Sequence, residues 1–175
     1  MEKNSVKKIA VIGAESTGKS NLCESLAQHY NTVFVPEYAR TYFNTNNIHN
    51  YSILDLEIIA RKQIDLENEL IKKANALLFC DTTLLTLKIW GDLEFNKSIP
   101  FVENNLPVIN YDYYLIANND VPWEPDIQRQ NKFSRDLIFN LNLNYTKQQN
   151  VPYFVINGNN QARLENAVNY INSIL

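Results

Sequence analysis

The sequence predicts a single α/β domain, a five-stranded, mostly parallel sheet with helices on both faces. Two observations carry this. Short apolar runs alternate along the 175 residues with longer stretches of 3.6-residue periodicity, the pattern of repeated βαβ units. The glycine-bounded segment Gly13–Ser20 then joins the first apolar run to the first periodic stretch as a strand–loop–helix unit.

The elements follow in order. Lys8–Ile12 is a first strand, and the helix after the loop aligns Leu22, Leu26 and Tyr30. Thr32–Val35 is a second strand, ending at Pro36-Glu37, and an irregular Asn-rich connection follows. Ser52 is suited to cap a helix running to about Lys73, with Ile53, Leu56, Ile59, Ala60 and Ile64 on one face. Leu77–Cys80 is continuously apolar, as a strand buried on both faces must be, and ends in Asp81. Helical material is expected around Leu84–Trp90 and a fourth strand at Tyr113–Ala117. Val121–Ser134 is polar, with two prolines, and is expected to form an exposed loop or lid. A helix from about Arg135 to Gln149, a strand at Tyr153–Ile156 and an amphipathic terminal helix complete the plan.

Composition narrows the partners. With 16 Lys and Arg against 19 Asp and Glu, the net charge is −3, which argues against general binding to nucleic acid or anionic membranes. No apolar stretch approaches the roughly 20 residues of a membrane-spanning helix, and no secretory signal is visible. Cys23 and Cys80 fit reduced core thiols of a cytoplasmic protein. No Cys or His pair has metal-ligand spacing. Oligomeric state is not legible.

Gly13-Ala14-Glu15-Ser16-Thr17-Gly18-Lys19-Ser20 has the form G-x-x-x-x-G-K-[ST] of a phosphate-binding loop. Its glycines permit a tight turn whose N–H groups cradle phosphates, and the positive end of the next helix adds attraction. Lys19 is expected on the β/γ-phosphates of ATP and the Ser20 hydroxyl on Mg²⁺. The whole plan is that of a small P-loop kinase, with ligands at the carboxyl ends of the strands.

Other candidates are weighed against that edge. Asp81, after four apolar residues, could hold Mg²⁺ or accept a proton; as an alternative it caps the next helix. Glu37 could act as general base or hold ribose hydroxyls, with Arg40 orienting it or touching the transferred group. Which of Glu37 and Asp81 takes the proton stays open. Arg129 and Arg135 could stabilise charge on the transferred phosphoryl group, or be solvated. Asn157-Gly158 could pass the adenine through backbone contacts.

Taken together, Ile12–Ser20, Pro36-Glu37-Tyr38-Ala39-Arg40, Asp81-Thr82-Thr83, Trp90-Gly91-Asp92 and Val121-Pro122-Trp123 with Asp126 and Arg129 resemble the ribosylnicotinamide kinase domain of the NadR type. The resemblance spans nearly the whole chain and implies ATP- and Mg²⁺-dependent phosphorylation of nicotinamide riboside to the mononucleotide. It implies that Glu37, Arg40 and Asp81 lie near the acceptor and the reacting centre, with Trp90 and Trp123 as aromatic walls; Tyr38 and Asp92 are further candidates on the acceptor side. The family's Asp-Gly-x-Arg in the lid reads Asp126-Ile127-Gln128-Arg129, and the kinase part alone is expected here. The aromatic and acidic residues suit a pyridinium cation.

A GTPase is disfavoured, since Asn96-Lys97-Ser98-Ile99 lacks the acid of a guanine-reading motif. A motor ATPase is also disfavoured for want of a second helical domain. Two alternatives stay open, a kinase for another nucleoside or metabolite and an ATP-binding regulatory module that transfers nothing.

Overall fold

In the computed structural model, which describes residues 5–46, 50–124 and 135–175, strand β1 (Lys7–Gly13) sets the layering. Ile9 and Val11 face one side of the sheet and Ala10 and Ile12 the other, and all four are fully buried. β3 (Leu77–Asp81) and β4 (Tyr113–Ala117) flank β1, and β2 (Phe34–Val35) and β5 (Tyr153–Ile156) form the edges. The sheet is fully parallel, in the order β2-β3-β1-β4-β5. Its register places Val11 beside Asp81 and Gly13 beside Ala117.

Helices α1 (Lys19–His29) and α7 (Asn160–Ile174) cover one face through Leu22, Cys23, Leu26, Ala167 and Ile171. Helices α3 (Ile53–Leu70), α4 (Leu84–Phe95) and α6 (Arg135–Gln148) cover the other. Burial pushes the Cys23 and Cys80 thiols well above their ordinary range, so both sit as protonated core residues.

Ser52 caps α3 as the sequence implies, and its own N–H donates back to the Asp55 carboxylate to complete a capping box. The second strand is shorter than expected. Thr32 lies outside it and instead ties its hydroxyl to the Leu77 carbonyl at 2.7 Å. The supposedly irregular connection opens with helix α2 (Tyr38–Asn46), and α5 (Pro100–Asn105) was equally unmarked. Both pack their few apolar residues, Ala39, Phe43 and Val102, against α3 and α4. No helix among the described residues is long and apolar enough to cross a membrane.

Candidate functional site

At the carboxyl end of β1 the chain turns into the loop 13–18. Gly13 has φ +141°, and a Cβ there would lie 2.6 Å from the Ala117 carbonyl oxygen, so close approach of β4 requires glycine. Gly18, left-handed at φ +76°, starts α1 without a side-chain cap. The first N–H groups of α1 therefore keep their positive end for a ligand. Thr17 Oγ1 and Lys19 Nζ both donate to the Ala14 carbonyl, at 2.8 and 2.7 Å, which holds the loop in its curve. Ser16 Oγ donates to the Glu124 carbonyl at 3.0 Å, linking the loop to the segment beyond β4.

Loop residues Glu15–Ser20 line a cavity of about 510 Å³. Glu37, Arg40 and Trp90 line it on the β3 side, and Pro122, Asn159 and Asn160 on the β4–β5 side. Arg40 Nε donates to Glu37 Oε2 at 3.0 Å, fixing the carboxylate. Trp90 has two jobs. It meets Phe43 edge-on at 6.1 Å within the helical layer, and it borders the cavity.

Asp81 lies behind the loop rather than on the cavity wall and is 1% exposed. The Ser20 hydroxyl lies near enough to the carboxylate to favour its charged form, while Oδ1 is buried without a partner. Its pKa rises from the ordinary 3.8 to about 6 because burial penalises the charge and the Glu37 carboxylate repels it. Lys19, Ser20 and Arg40 offset part of that. The next residue, Thr82, holds φ +72°, a strained conformation for a β-branched residue.

Several expected residues stand elsewhere. Asp92 lines neither this cavity nor the smaller one beside it; it pairs with Lys88 at 3.3 Å one turn back on α4. Tyr38 gives its N–H to Gln63 Oε1 at 2.9 Å and packs near Tyr42, also off both walls. Asn157 accepts from Asn118 Nδ2. The Gly158 N–H donates to Asp120, and its carbonyl accepts from Arg163. Asn159 and Asn160 line the cavity instead. Arg135 donates to the Val121 carbonyl at 3.1 Å, and Trp123 sits between two lining residues without lining the cavity itself. Gly13 borders only the smaller cavity, and Ala14 borders neither. Asp126 and Arg129 lie outside the described residues.

Two positioning residues were not anticipated. Gln63, 1% exposed, ties Tyr38 N–H, the Pro36 carbonyl and the Asp81 carbonyl together, clamping the turn that carries Glu37 against the end of β3. Arg163, equally buried, donates to the carbonyls of Gly158 and Asn118 and pairs with Asp120 at 2.5 Å. A polar residue on an otherwise apolar helical face was the available signal for both.

Comparison with known proteins agrees with this fold. A family profile described as an AAA domain matches residues 8–163. The chain belongs to the AAA domain family. It is 28% identical over 153 residues to the trifunctional NAD biosynthesis/regulator protein NadR of Salmonella typhimurium, covering 85% of this chain. The chain spans only 37% of that relative's length. A crystal structure of NadR protein in complex with NR superposes with a TM-score of 0.81 at 20% identity, over 97% of this chain and 50% of the other. A deoxyadenosine kinase from M. mycoides gives 0.60 at 20% identity, over 96% and 100%. The resemblance to the NadR-type domain therefore holds in sequence and in fold, and the P-loop kinase fold is shared with nucleoside kinases.

Proposed function

We propose that the chain transfers the γ-phosphoryl group of ATP to the 5′-hydroxyl of a nucleoside, nicotinamide riboside. The observation that carries this reading is the two-sided cavity. The phosphate loop forms its floor, and the Glu37–Arg40 pair and Trp90 stand opposite the Asn159–Asn160 side. An ATPase without an acceptor needs no such second wall. The NadR relative, named for NAD biosynthesis, narrows the nucleoside.

The residues divide the work. Loop N–H groups and Lys19 receive the triphosphate, and the α1 terminus adds its dipole. Ser20 and Asp81 form an all-oxygen donor pair, with Asp81 Oδ1 unpartnered, which fits a Mg²⁺ that keeps its waters and phosphate ligands. Bound there, the ion would neutralise charge on the β and γ oxygens. Glu37, on the cavity wall, takes the proton of the acceptor hydroxyl; Asp81, screened behind Ser20, does not. Arg40 holds Glu37 in line. Catalysis comes from positioning and charge neutralisation.

The test is a coupled ADP-release screen with nicotinamide riboside, common nucleosides and no acceptor. ADP release should require a nucleoside and be fastest with nicotinamide riboside. Release at equal rate without acceptor would overturn the reading in favour of a regulatory ATPase. Preference for a deoxynucleoside would move the chain towards the other kinases that share its fold.

A further inference from the structure

The sheet itself stops short of holding Glu37. β2 pairs with β3 through Phe34 beside Phe79 and Val35 beside Cys80, and the ladder ends there. Pro36 follows and has no N–H with which to extend it. Glu37 therefore stands in a turn beyond the last ladder pair. Arg40 fixes its carboxylate but not the backbone that carries it.

Gln63 of α3 supplies the missing joint. Its Oε1 accepts from the Tyr38 N–H at 2.9 Å, one of the donors that the start of α2 leaves without a helical partner. Its Nε2 faces the Pro36 carbonyl at 3.2 Å and the Asp81 carbonyl at 3.5 Å. A donor on one side and two acceptors on the other leave the amide a single orientation. The residues on either side of Glu37 are thus joined to the backbone of Asp81, away from competing water. An apolar side chain would fill the same space without fixing the turn, because hydrophobic contact is not directional.

Helix α3 is in turn held along its own axis. One turn beyond Gln63, Glu67 is buried on the same face. Its Oε2 pairs with Lys8 Nζ at 2.5 Å near the start of β1, and its Oε1 accepts from the Tyr111 hydroxyl at 2.6 Å. Sliding α3 would break both bonds and leave a buried charge unpaired, which is costly. Glu67 accordingly sets where Gln63 stands, and Gln63 sets where the Glu37 turn stands.

Resting on the kinase reading above, we propose that Gln63 is a positioning residue for the proton transfer, acting through Glu37. In that step the acceptor O–H bond breaks and its proton goes to a Glu37 oxygen. The electron pair left on the acceptor oxygen forms the bond to the γ-phosphorus as the bond to ADP breaks. Gln63 touches none of these atoms; it fixes Glu37 at the acceptor hydroxyl relative to Asp81. Misplacing a reacting group by about 1 Å costs on the order of 10²-fold in rate.

The experiment is a double-mutant cycle on kcat, run with the nucleoside that best supports ADP release, using Gln63→Met, Glu37→Gln and the double variant. Methionine keeps the length of the side chain and lacks the amide. Gln63→Met should lower kcat about 10- to 100-fold and leave KM for ATP unchanged. In the Glu37→Gln background the same substitution should cost less than about twofold, because the base it positions is already gone. If Gln63→Met does not fold, Gln63→Asn, too short to span the joint, takes its place in the cycle. Losses that multiply, an equal loss in ATP affinity, or a Glu37→Gln variant as active as the wild type would overturn this inference and leave the kinase reading standing. Absence of nucleoside-dependent ADP release in the wild type would overturn both.

Discussion

Asp81 pays for its position in stability. In the unfolded chain it titrates near 3.8, whereas in the folded protein it titrates near 6. The folded state therefore binds the proton more tightly, and the contribution of Asp81 to stability falls as pH rises from about 4 to 6. Above that window the two-unit shift corresponds to a deficit of about 3 kcal/mol. Asp81→Asn should remove it. Without nucleotide at pH 7.5 the variant should melt about 5 °C or more above the wild type, while its kcat collapses. At pH 4 the difference in Tm should close, and a gap of equal size at both pH values would show that ionisation is not its cause. Glu37 makes the complementary prediction. Glu37→Gln keeps the shape of the side chain yet cannot take a proton, so kcat should fall about 10²- to 10⁴-fold with ATP affinity unchanged. Equal losses in kcat and ATP affinity would remove Glu37 from the proton transfer.

At the scale of elements, the site depends on how closely β1 and β4 approach at their carboxyl ends. A methyl group on Gly13 would strike the Ala117 carbonyl in a backbone conformation that disfavours side chains. Gly13→Ala should therefore cost about 3 kcal/mol in denaturant unfolding, from strain and overpacking together. A cost within a few tenths would mean that the strands can separate without penalty. The same scale explains what was legible beforehand. The phosphate loop, the apolar run before Asp81 and the Ser52 cap each write their chemistry in adjacent residues, and they folded as expected. Helix α2 did not show because Tyr38–Asn46 buries only Ala39 and Phe43, too little for a periodic stripe. Trp90 and Asp92 stood together in sequence, but two positions on a helix turn the side chain by roughly 200°. Trp90 consequently borders the cavity while Asp92 faces Lys88. At Asn157-Gly158 the Gly158 N–H and carbonyl are engaged by Asp120 and by Arg163 of α7, contacts that local sequence does not reveal. Gln63 and Arg163 each stand on an otherwise apolar helical face, but which polar residue on such a face is buried is decided by tertiary packing.

Across the whole molecule, the strand order divides the site in two. From β1 the chain builds outward through β3 and β2 on one side and through β4 and β5 on the other. The loop 13–18 lies at the reversal, where open parallel sheets bind ligands. The β3 side supplies Glu37, Arg40, Asp81 and Trp90, and the β5 side supplies Asn159 and Asn160. Donor and acceptor should accordingly stabilise the fold separately, because each binds the native state alone. A non-hydrolysable ATP analogue with Mg²⁺ at 100 times its Kd contributes about 2.7 kcal/mol, a rise in Tm of about 5–10 °C for a domain of this length. Lys19→Ala should abolish turnover and most of that rise. The rise caused by nicotinamide riboside alone should survive, since a cationic riboside gains nothing from the lysine charge. Loss of both shifts in Lys19→Ala would mean that the loop organises the acceptor side as well. The two halves of the sheet would then act as one binding unit.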